Sequence, residues 1–381
     1  MTTGADTHRS SGSTAESGRR RRSIEVEYWV IDERGRLTEP GSMADAAEGV
    51  EREFVRPLLE IKTSPCETTA QLREQLYGRL SRVLEVGEAE GKKLVPLATP
   101  LYADEIRELP HERTRIQNRV VGEEFECVRH CAGTHVHFEQ LPGRETDQLN
   151  VLTAIDPALA LVNSSPYFQG SRVAASARSV AYRWKAYDSL PRQGQLWPYV
   201  DSTEEWATRL YRRYEEFVTE AVARGVPRAD VESCFDPESA VWTPVKLRAE
   251  FPTVEWRSPD AALPDQVLQL ADQLGSLMDH LADAEVCIDG DGGRVTDDRI
   301  VIPTFDVVEN RARTAVETGV QARDVRSYLK RMGFDVSTFT PLTRTLDAGE
   351  SLSPERAREL RLKYADRLRE SVTEHGPIAA D

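Results

Sequence analysis

The chain has 381 residues, of which 39% are hydrophobic, and this is enough to bury a substantial core. Its formal net charge of -15 repels phosphate backbones, which disfavours nucleic acid as a partner. No apolar run approaches the ~20 residues that span a bilayer, and the N-terminus lacks a hydrophobic signal core, so we expect no membrane partner and a cytoplasmic location.

Arginine supplies almost all of the positive charge. Of the 49 basic residues, 42 are arginine and 7 are lysine. An acidic chain with so little lysine favours the interior of a salt-accumulating organism (a halophile), although a GC-rich genome would also enrich arginine. The cysteines are few and odd in number, 5 in all, which favours free thiols over a disulfide framework.

Residues 1–22 differ in composition from the rest of the chain. They are rich in Ser, Thr, Gly and charged residues, contain almost no large apolar residue, and end in the arginine run Arg19–Arg22. Such a segment cannot bury enough apolar surface to offset its loss of conformational entropy, so we predict a disordered tail. No low-complexity linker interrupts residues 23–381, which we predict to form a single domain with a helical C-terminal end.

Two strands and a helix are predicted in the first hundred residues. Side chains alternate in character from Ile24 to Ile31, and residues 32–35 are typical of the turn that follows. A second short strand is predicted over residues 58–63. Apolar residues recur at helical spacing over residues 67–90, and Gly91 stands where a helix would end.

One strand and one helix are predicted in the middle of the chain. The strand runs from Gly133 to Glu139. The helix begins with a capping box at residues 202–205, in which Ser202 and Glu205 satisfy each other's backbone N–H groups. Its apolar side begins with Trp206.

The last third of the chain contains one predicted strand and three predicted helices. The strand covers residues 253–258, and the helices cover residues 265–284, residues 305–332 and a segment that starts at Pro354. Strands come early and helices follow without a regular β-α-β alternation. This order predicts the α+β class, with a largely antiparallel sheet.

Each of the four strands has one apolar face and one face with ionisable groups, because successive side chains of a strand point to opposite sides. The ionisable faces carry Glu25 and Glu27, Glu60 and Lys62, His135, His137 and Glu139, and Glu255 and Arg257. If the strands share one sheet, these groups converge on one surface.

A surface of this kind predicts a metal and phosphate site. Clustered glutamates repel one another unless cations intervene, and Mg²⁺ prefers oxygen ligands and binds substrate phosphates too. An arginine beside the metal would complete the arrangement used in phosphoryl transfer. The alternative is a polar face that meets only water, but His-x-His and Glu-x-Glu are unusual choices for such a face.

The same residues resemble a known family, glutamate–cysteine ligase family 2. Its members are carboxylate–amine ligases whose catalytic sheet is similar to that of glutamine synthetase. Segments 24–28, 59–66, 132–137 and 253–257 resemble four of its motifs, of which Gly-x-His-Val-His at residues 133–137 is the most specific. Ser23 replaces the glycine that usually precedes the first motif. Two further stretches, 163–184 and 309–319, agree in order, so the resemblance runs from residue 24 to about 330.

The resemblance implies a glutamine-synthetase-like catalytic domain with a curved sheet, helices on one face, ATP, and two or three Mg²⁺ ions. The implied metal ligands are Glu25, Glu27, Glu60, His135 and Glu255. His137 would contact ATP or the transferring phosphoryl group, and Arg257 would steady the phosphorylated intermediate. One or two of Arg172, Arg178 and Arg183 would bind the α-carboxylate of glutamate.

The implied reaction joins glutamate to an amine through a γ-glutamyl phosphate. Cysteine is the expected acceptor, which would make the chain a glutamate–cysteine ligase. Its acidic, lysine-poor composition favours a haloarchaeal source. Two alternatives stay open: the same chemistry with another amine, and a metal-binding protein without turnover. The arginines beside the carboxylates argue against the second alternative. The chain is compatible with a homo-oligomer under each of these hypotheses.

Overall fold

Strands and helices follow one another irregularly along the computed structural model, which describes residues 20–103, 105–346 and 348–375. The strands are β1 (Arg22–Asp32), β2 (Val50–Arg52), β3 (Leu58–Lys62), β4 (Lys92–Val95), β5 (Thr134–Glu139), β6 (Tyr167–Phe168), β7 (Ser171–Arg172), β8 (Val245–Arg248), β9 (Thr253–Trp256), β10 (Glu285–Ile288), β11 (Arg294–Val295) and β12 (Arg299–Ile302). The α-helices are α1 (Thr69–Ala89), α2 (Glu112–Val121), α3 (Phe125–Arg129), α4 (Glu145–Ala154), α5 (Ala177–Val180), α6 (Thr203–Ala223), α7 (Arg228–Cys234), α8 (Pro237–Ala240), α9 (Pro264–Leu281), α10 (Phe305–Glu317), α11 (Arg323–Arg331) and α12 (Pro354–His375).

The main sheet of the described residues has 7 strands. Its order is β2-β3-β1-β5-β9-β8, and β4 pairs with the far end of β1. Every pairing in it is antiparallel. The predicted α+β class with a largely antiparallel sheet is therefore confirmed, and the four predicted strands, now β1, β3, β5 and β9, are neighbours.

The register of these strands pairs ionisable residues across each boundary. The opposed pairs are Glu60–Glu27, Glu25–His135 and His137–Glu255. Directly opposed residues in a sheet project to the same side. The ionisable faces of the four strands therefore form one continuous surface, as the alternation predicts.

The other face of the sheet is the hydrophobic core. Ile24, Val26 and Tyr28 of β1 are completely buried. Helices α1, α4 and α9 pack on strands of the sheet. Arg22, on the same side, reaches α9, where a Cβ at Gly275 would lie 2.3 Å from its Nη1. Glycine at this position of α9 lets the guanidinium pass against the helix backbone.

Most of the predicted helices are confirmed, with ends shifted by a few residues. The first is α1, which begins at the capping box of Thr68 and ends before Gly91, whose φ is 65°. The single helix predicted over residues 305–332 is wrong, because the chain forms α10 and α11 with a break between them. Gly319 lies in the break in the left-handed region, with φ of 68°, which ends α10. No helix in the described part of the chain has both the length and the apolar composition of a membrane span.

The predicted tail falls mostly on residues 1–19, which lie outside the described residues. At its end the prediction is wrong, because Arg22 is the first residue of β1. Its backbone exchanges hydrogen bonds with Cys66, and its buried guanidinium donates to Thr69 Oγ1 at 2.5 Å. Arg22 can be buried because its guanidinium lies 3.5 Å from the carboxylate of Asp272. The composition of residues 1–22 does not reveal this partner.

Candidate active site

The ionisable face of the sheet is the floor of a cleft of about 910 Å³. Its walls include residues of α2, α3, the end of β2 and a π-helical turn at Ala181–Lys185 that follows α5. Aromatic side chains form one side, where the rings of Phe125 and Trp242 stack with centroids 6.1 Å apart. A π-helical turn places its residues differently from an α-helix and is frequent at functional sites.

One acidic cluster consists of Glu25, His135 and Glu255, whose ligand atoms all lie within 4.8 Å of one another. His135 Nδ1 is 3.1 Å from Glu25 Oε2 and 3.8 Å from Glu255 Oε1. Burial, reinforced by the charge of Arg257, lowers the pKa of His135 to about 4. The imidazole is therefore neutral at pH 7 and has a lone pair to offer a cation.

The carboxylates of this cluster are held ionised. Burial alone would raise the pKa of Glu255, but Arg257 and the two imidazoles keep it well below its usual range. Arg248 Nη1 donates to Glu255 Oε2 at 3.0 Å, and Arg257 contacts the other oxygen. Burial also opposes ionisation of Glu25, yet the hydrogen bond with His135 and the nearby imidazole of His137 keep its pKa well below the usual value.

A second acidic cluster consists of Glu27, Glu53 and Glu60, again with ligand atoms within 4.8 Å of one another. Burial and then mutual repulsion raise the pKa of Glu27 to about 7, that of Glu53 to about 7 and that of Glu60 to about 8. Lys62 is 2.8 Å from Glu60 Oε2 and offsets part of this repulsion. The cluster needs protons or cations at neutral pH.

The Nε2 atom of His137 faces the first cluster. Its Nδ1 is 3.2 Å from Thr253 Oγ1. Its Nε2 is buried without a hydrogen-bond partner among the described residues, 3.6 Å from Glu25 Oε2 and 3.7 Å from Glu255 Oε1. A buried polar atom left without a partner is costly unless a ligand or ion completes it.

These donors fit hard divalent cations. The two clusters provide carboxylate oxygens and one neutral imidazole. Glu25 of one cluster and Glu27 of the other are two residues apart on β1, so the clusters are only about 7 Å apart. A cation in the second cluster would replace the protons that repulsion otherwise retains. The residues present therefore fit Mg²⁺, the metal that the resemblance implies.

Of the three arginines predicted to bind glutamate, Arg178 lines the cleft. Its Nη1 donates to the carbonyl oxygen of Ser258 at 3.1 Å, and its Nη2 donates to that of Arg257 at 3.2 Å. A Cβ at Gly133 would lie 2.2 Å from Nη2. The glycine of the Gly-x-His-Val-His motif thus gives Arg178 the space it occupies.

The other two arginines lie elsewhere. Arg183 is buried and makes a two-pronged ion pair with Asp156, at 2.7 and 3.1 Å, and a bond of 2.7 Å to Ser258 Oγ. Arg172, on β7, lines a separate cleft together with Glu350. Neither lines the cleft over the sheet, so position supports only Arg178 as the glutamate-binding arginine.

The comparisons with known proteins show the family of the chain. The model of a family described as "Glutamate-cysteine ligase family 2" matches residues 15–332. The chain belongs to this family. The matched residues include both acidic clusters, so the resemblance seen in the motifs is confirmed at family level.

Curated relatives of this family member are distant. A protein of Chloroflexus aurantiacus named "Putative glutamate--cysteine ligase 2" is 25% identical over 271 residues, which is 67% of the chain and 63% of the relative. A "Putative glutamate--cysteine ligase 2-2" of Mycolicibacterium vanbaalenii is 29% identical over 254 residues, covering 63% and 61%. The chain thus spans somewhat less than two thirds of the length of the relatives it matches.

Solved structures share the fold of this family member. A bifunctional glutathione synthetase from Pasteurella multocida aligns with a TM-score of 0.57 and 16% identity, covering 92% of this chain and 53% of that one. A glutamate–cysteine ligase from Francisella tularensis in complex with AMP aligns with a TM-score of 0.55 and 12% identity, covering 95% and 90%. At these identities the likeness concerns the fold alone.

Two residues that line the cleft, Glu53 and Lys246, are not predicted from the sequence. Glu53 lies just beyond β2, outside every predicted strand, and its only signal in the sequence is the Glu-x-Glu spacing that it forms with Glu51. Lys246 lies on β8, opposite Glu255, and its Nζ donates to the carbonyl oxygen of Glu238 at 2.8 Å. Burial and then the charge of Arg257 lower the pKa of Lys246 to about 7.

Proposed function

We propose that the chain is an ATP- and Mg²⁺-dependent ligase that joins the γ-carboxylate of glutamate to an amine, with cysteine as the first acceptor to test. The observation that carries this proposal is the pair of acidic clusters on one sheet face, with Arg257 and Arg178 beside them. A metal store would need the carboxylates but no guanidinium groups. Family membership supports the same reaction class.

Each acidic cluster is proposed to hold one Mg²⁺ ion. Glu25, His135 and Glu255 would bind one, and the carboxylates of Glu27, Glu53 and Glu60 the other. When bound, the ions neutralise charge on the phosphates of ATP and align the terminal phosphoryl group with its acceptor. A third ion, which the resemblance allows, has no separate ligand group among the described residues.

The first step transfers a phosphoryl group. A γ-carboxylate oxygen of glutamate forms a bond to the terminal phosphorus of ATP, the bond from that phosphorus to the bridging oxygen breaks, and ADP leaves. Arg257 would donate hydrogen bonds to the equatorial oxygens, on which charge spreads in the transition state. His137 Nε2 has no other partner among the described residues and would contact the same group.

The second step forms the amide. The nitrogen of the neutral amine attacks the acyl carbon, the carbon–oxygen bond to phosphate breaks, and the amine gives up one proton. Arg178 would hold the α-carboxylate of glutamate, because its Nη1 is fixed by two carbonyl groups while its Nε has no partner among the described residues and can donate together with the second hydrogen of Nη2.

A larger amine is a second candidate for the acceptor. The rim of the cleft includes Phe54, Leu109 and Phe251, and the Phe251 side chain is 63% exposed. An apolar rim of this kind could bind an acceptor with more hydrophobic surface than cysteine.

The deciding experiment measures phosphate release by the purified chain with ATP, Mg²⁺ and glutamate, in high salt, with and without cysteine. We expect release that requires both amino acids, together with a γ-glutamylcysteine product identified by mass. A panel of aliphatic and aromatic amines in place of cysteine identifies any other acceptor.

The outcomes separate the hypotheses. Release with another amine but not with cysteine would keep the chemistry and change the acceptor. Lack of release with every amine, from a folded protein that still binds Mg²⁺, would overturn the ligase and favour a binding protein.

A further inference from the structure

A second cleft, of about 470 Å³, lies between α11 and the segment 336–344 and shares no lining residue with the cleft over the sheet. Its lining contains no carboxylate. The cationic residues that line it are Arg323, Arg326, Lys330 and Arg344. In a chain with a formal net charge of -15, a concave surface of one positive sign is unexpected.

The spacing of three of these residues makes them repel one another. Arg323, Arg326 and Lys330 are separated by three and four positions on α11, so they project from one side of the helix. Like charges at this spacing destabilise a helix. Neither these three nor Arg344 makes an ion pair with any described residue, so no ion pair among the described residues offsets the repulsion.

Carboxylates lie near the cleft without lining it. Glu317 and Glu350 line the neighbouring cleft, which shares Gln321 and Arg344 with this one. A third, Asp335, lies beside Ser337 of the lining. Hydrogen bonds from Ser337 and, less strongly, the charge of Lys330 lower the pKa of Asp335. Its Oδ1 accepts from the Ser337 backbone at 3.0 Å, so this carboxylate is engaged by its own turn. Asp335 compensates the charge of Lys330 and leaves the three guanidinium groups without a counter-charge in the lining.

The rest of the lining defines the kind of ligand. Gln321 and Ser327 offer an amide and a hydroxyl group, and Val320 and Phe339 of the lining are buried. Several guanidinium forks with neutral donors between them match the tetrahedral oxygens of phosphoryl groups. The volume suits a small molecule and is too small for a folded partner. We propose that this cleft binds a small anion that carries two or more phosphoryl charges.

Calorimetric titration of the full chain with pyrophosphate, in metal-free buffer at about 0.1 M NaCl, tests the proposal. The test variant is Arg326→Gln/Arg344→Gln, and the control, Arg212→Gln/Arg313→Gln, removes two exposed arginines outside the cleft and has the same net charge. We expect pyrophosphate to bind the wild type and the control alike. We expect the test variant to bind about tenfold or more weakly, because charge-assisted hydrogen bonds are lost.

Two results would overturn the proposal. One is equal affinity of the test and control variants, which would place the pyrophosphate elsewhere, for example at Arg257. The other is an absence of binding to the wild type. The single variant Lys330→Gln repeats the comparison if circular dichroism shows that the double variant is misfolded.

Discussion

Glu53 supplies one third of the second acidic cluster although it lies in no strand. The chain brings it there by turning directly after β2, and the turn is closed by a hydrogen bond from the Glu53 backbone to the carbonyl oxygen of Leu58, at 3.3 Å. Its own Oε2 accepts from the backbone of Phe54 at 3.1 Å, which leaves the other oxygen for the cluster. These two hydrogen bonds orient Glu53 although it lies outside the strands.

Replacing Glu53 with Gln should abolish ligase activity, by about 100-fold or more, because one anionic ligand of the second Mg²⁺ ion is lost. The protective effect of Mg²⁺ on the melting temperature should shrink in parallel. The control is Glu51→Gln, two residues earlier, where the side chain is 59% exposed and pairs with Lys62 at 3.0 Å. Full activity in Glu53→Gln would remove this residue from the metal site.

The same variant tests the raised pKa of Glu53 without metal. The unfolded chain ionises Glu53 near pH 4.5, whereas the folded chain retains the proton up to about pH 7, so the wild type loses unfolding free energy across this window. Gln does not titrate. Metal-free Glu53→Gln should therefore melt above the wild type, by an excess that grows from about pH 4.5 to about 7 and then levels off. An excess that shrinks with rising pH would show that the pKa is not raised.

Arg178 provides a kinetic prediction. In Arg178→Lys the KM for glutamate should rise by about tenfold or more, because an ammonium group cannot form the paired hydrogen bonds of a guanidinium. The KM for ATP should change little. Arg172→Lys, outside the cleft, is the control. A larger effect on ATP than on glutamate would assign Arg178 to the nucleotide.

At the scale of elements, a buried charge network fixes the end of β9. Asp156 accepts hydrogen bonds from Arg183 and from the indole of Trp256, at 3.0 Å for the indole, and contacts Ser258. Trp256 is the last residue of β9, and Arg257 follows it directly. The network therefore positions the arginine that faces the cleft, although none of its members touches the acidic clusters.

Asp156→Asn should lower the unfolding free energy by about 3 kcal/mol or more, since the buried Arg183 would lose its counter-charge. Thermal melting measures the loss. Asp147→Asn breaks a more exposed pair with Arg144, whose atoms are 2.6 Å apart, and should change the free energy by less than about 1 kcal/mol. Equal melting temperatures for the two variants would show that the Asp156 network contributes little to stability.

The strands were more predictable from sequence than the connections. Alternation alone identified β1, β3, β5 and β9 and the residues on their polar faces, because burial on one side of a sheet leaves a period of two in the chain. β8 was missed although it is as long as β9, at 4 residues, and its side chains also alternate between apolar and basic. The ion pair of Arg183 with Asp156 joins distant segments, and no local pattern encodes it.

At the scale of the whole molecule, negative charge dominates the surface. The formal net charge of -15 is spread over a chain in which many arginines already pair with carboxylates, for example Arg228 with Glu215 at 3.0 Å. Exposed pairs of this kind add little stability each and weaken in salt. The remaining repulsion among acidic groups also weakens in salt, and it is the larger effect when charge is so unbalanced.

The melting temperature should therefore rise when NaCl is increased from about 0.1 M to about 2 M. KCl should act similarly if screening is the cause. A melting temperature that falls with salt would mean that ion pairs contribute more than repulsion, and the interpretation of the composition as halophilic would be withdrawn.

Because side chains alternate along β1, the strand should tolerate substitutions better than deletions. A point mutation at Glu25 or Val26 alters one side chain on one face. Loss of the single codon for Val26 would instead invert every side chain on one side of the deletion, so that Glu25 would enter the core beneath α1 and α9 while Ile24 turned outward. Libraries that vary sequence within this strand are therefore worth building, whereas libraries that vary its length would yield chains that have lost core and cleft together.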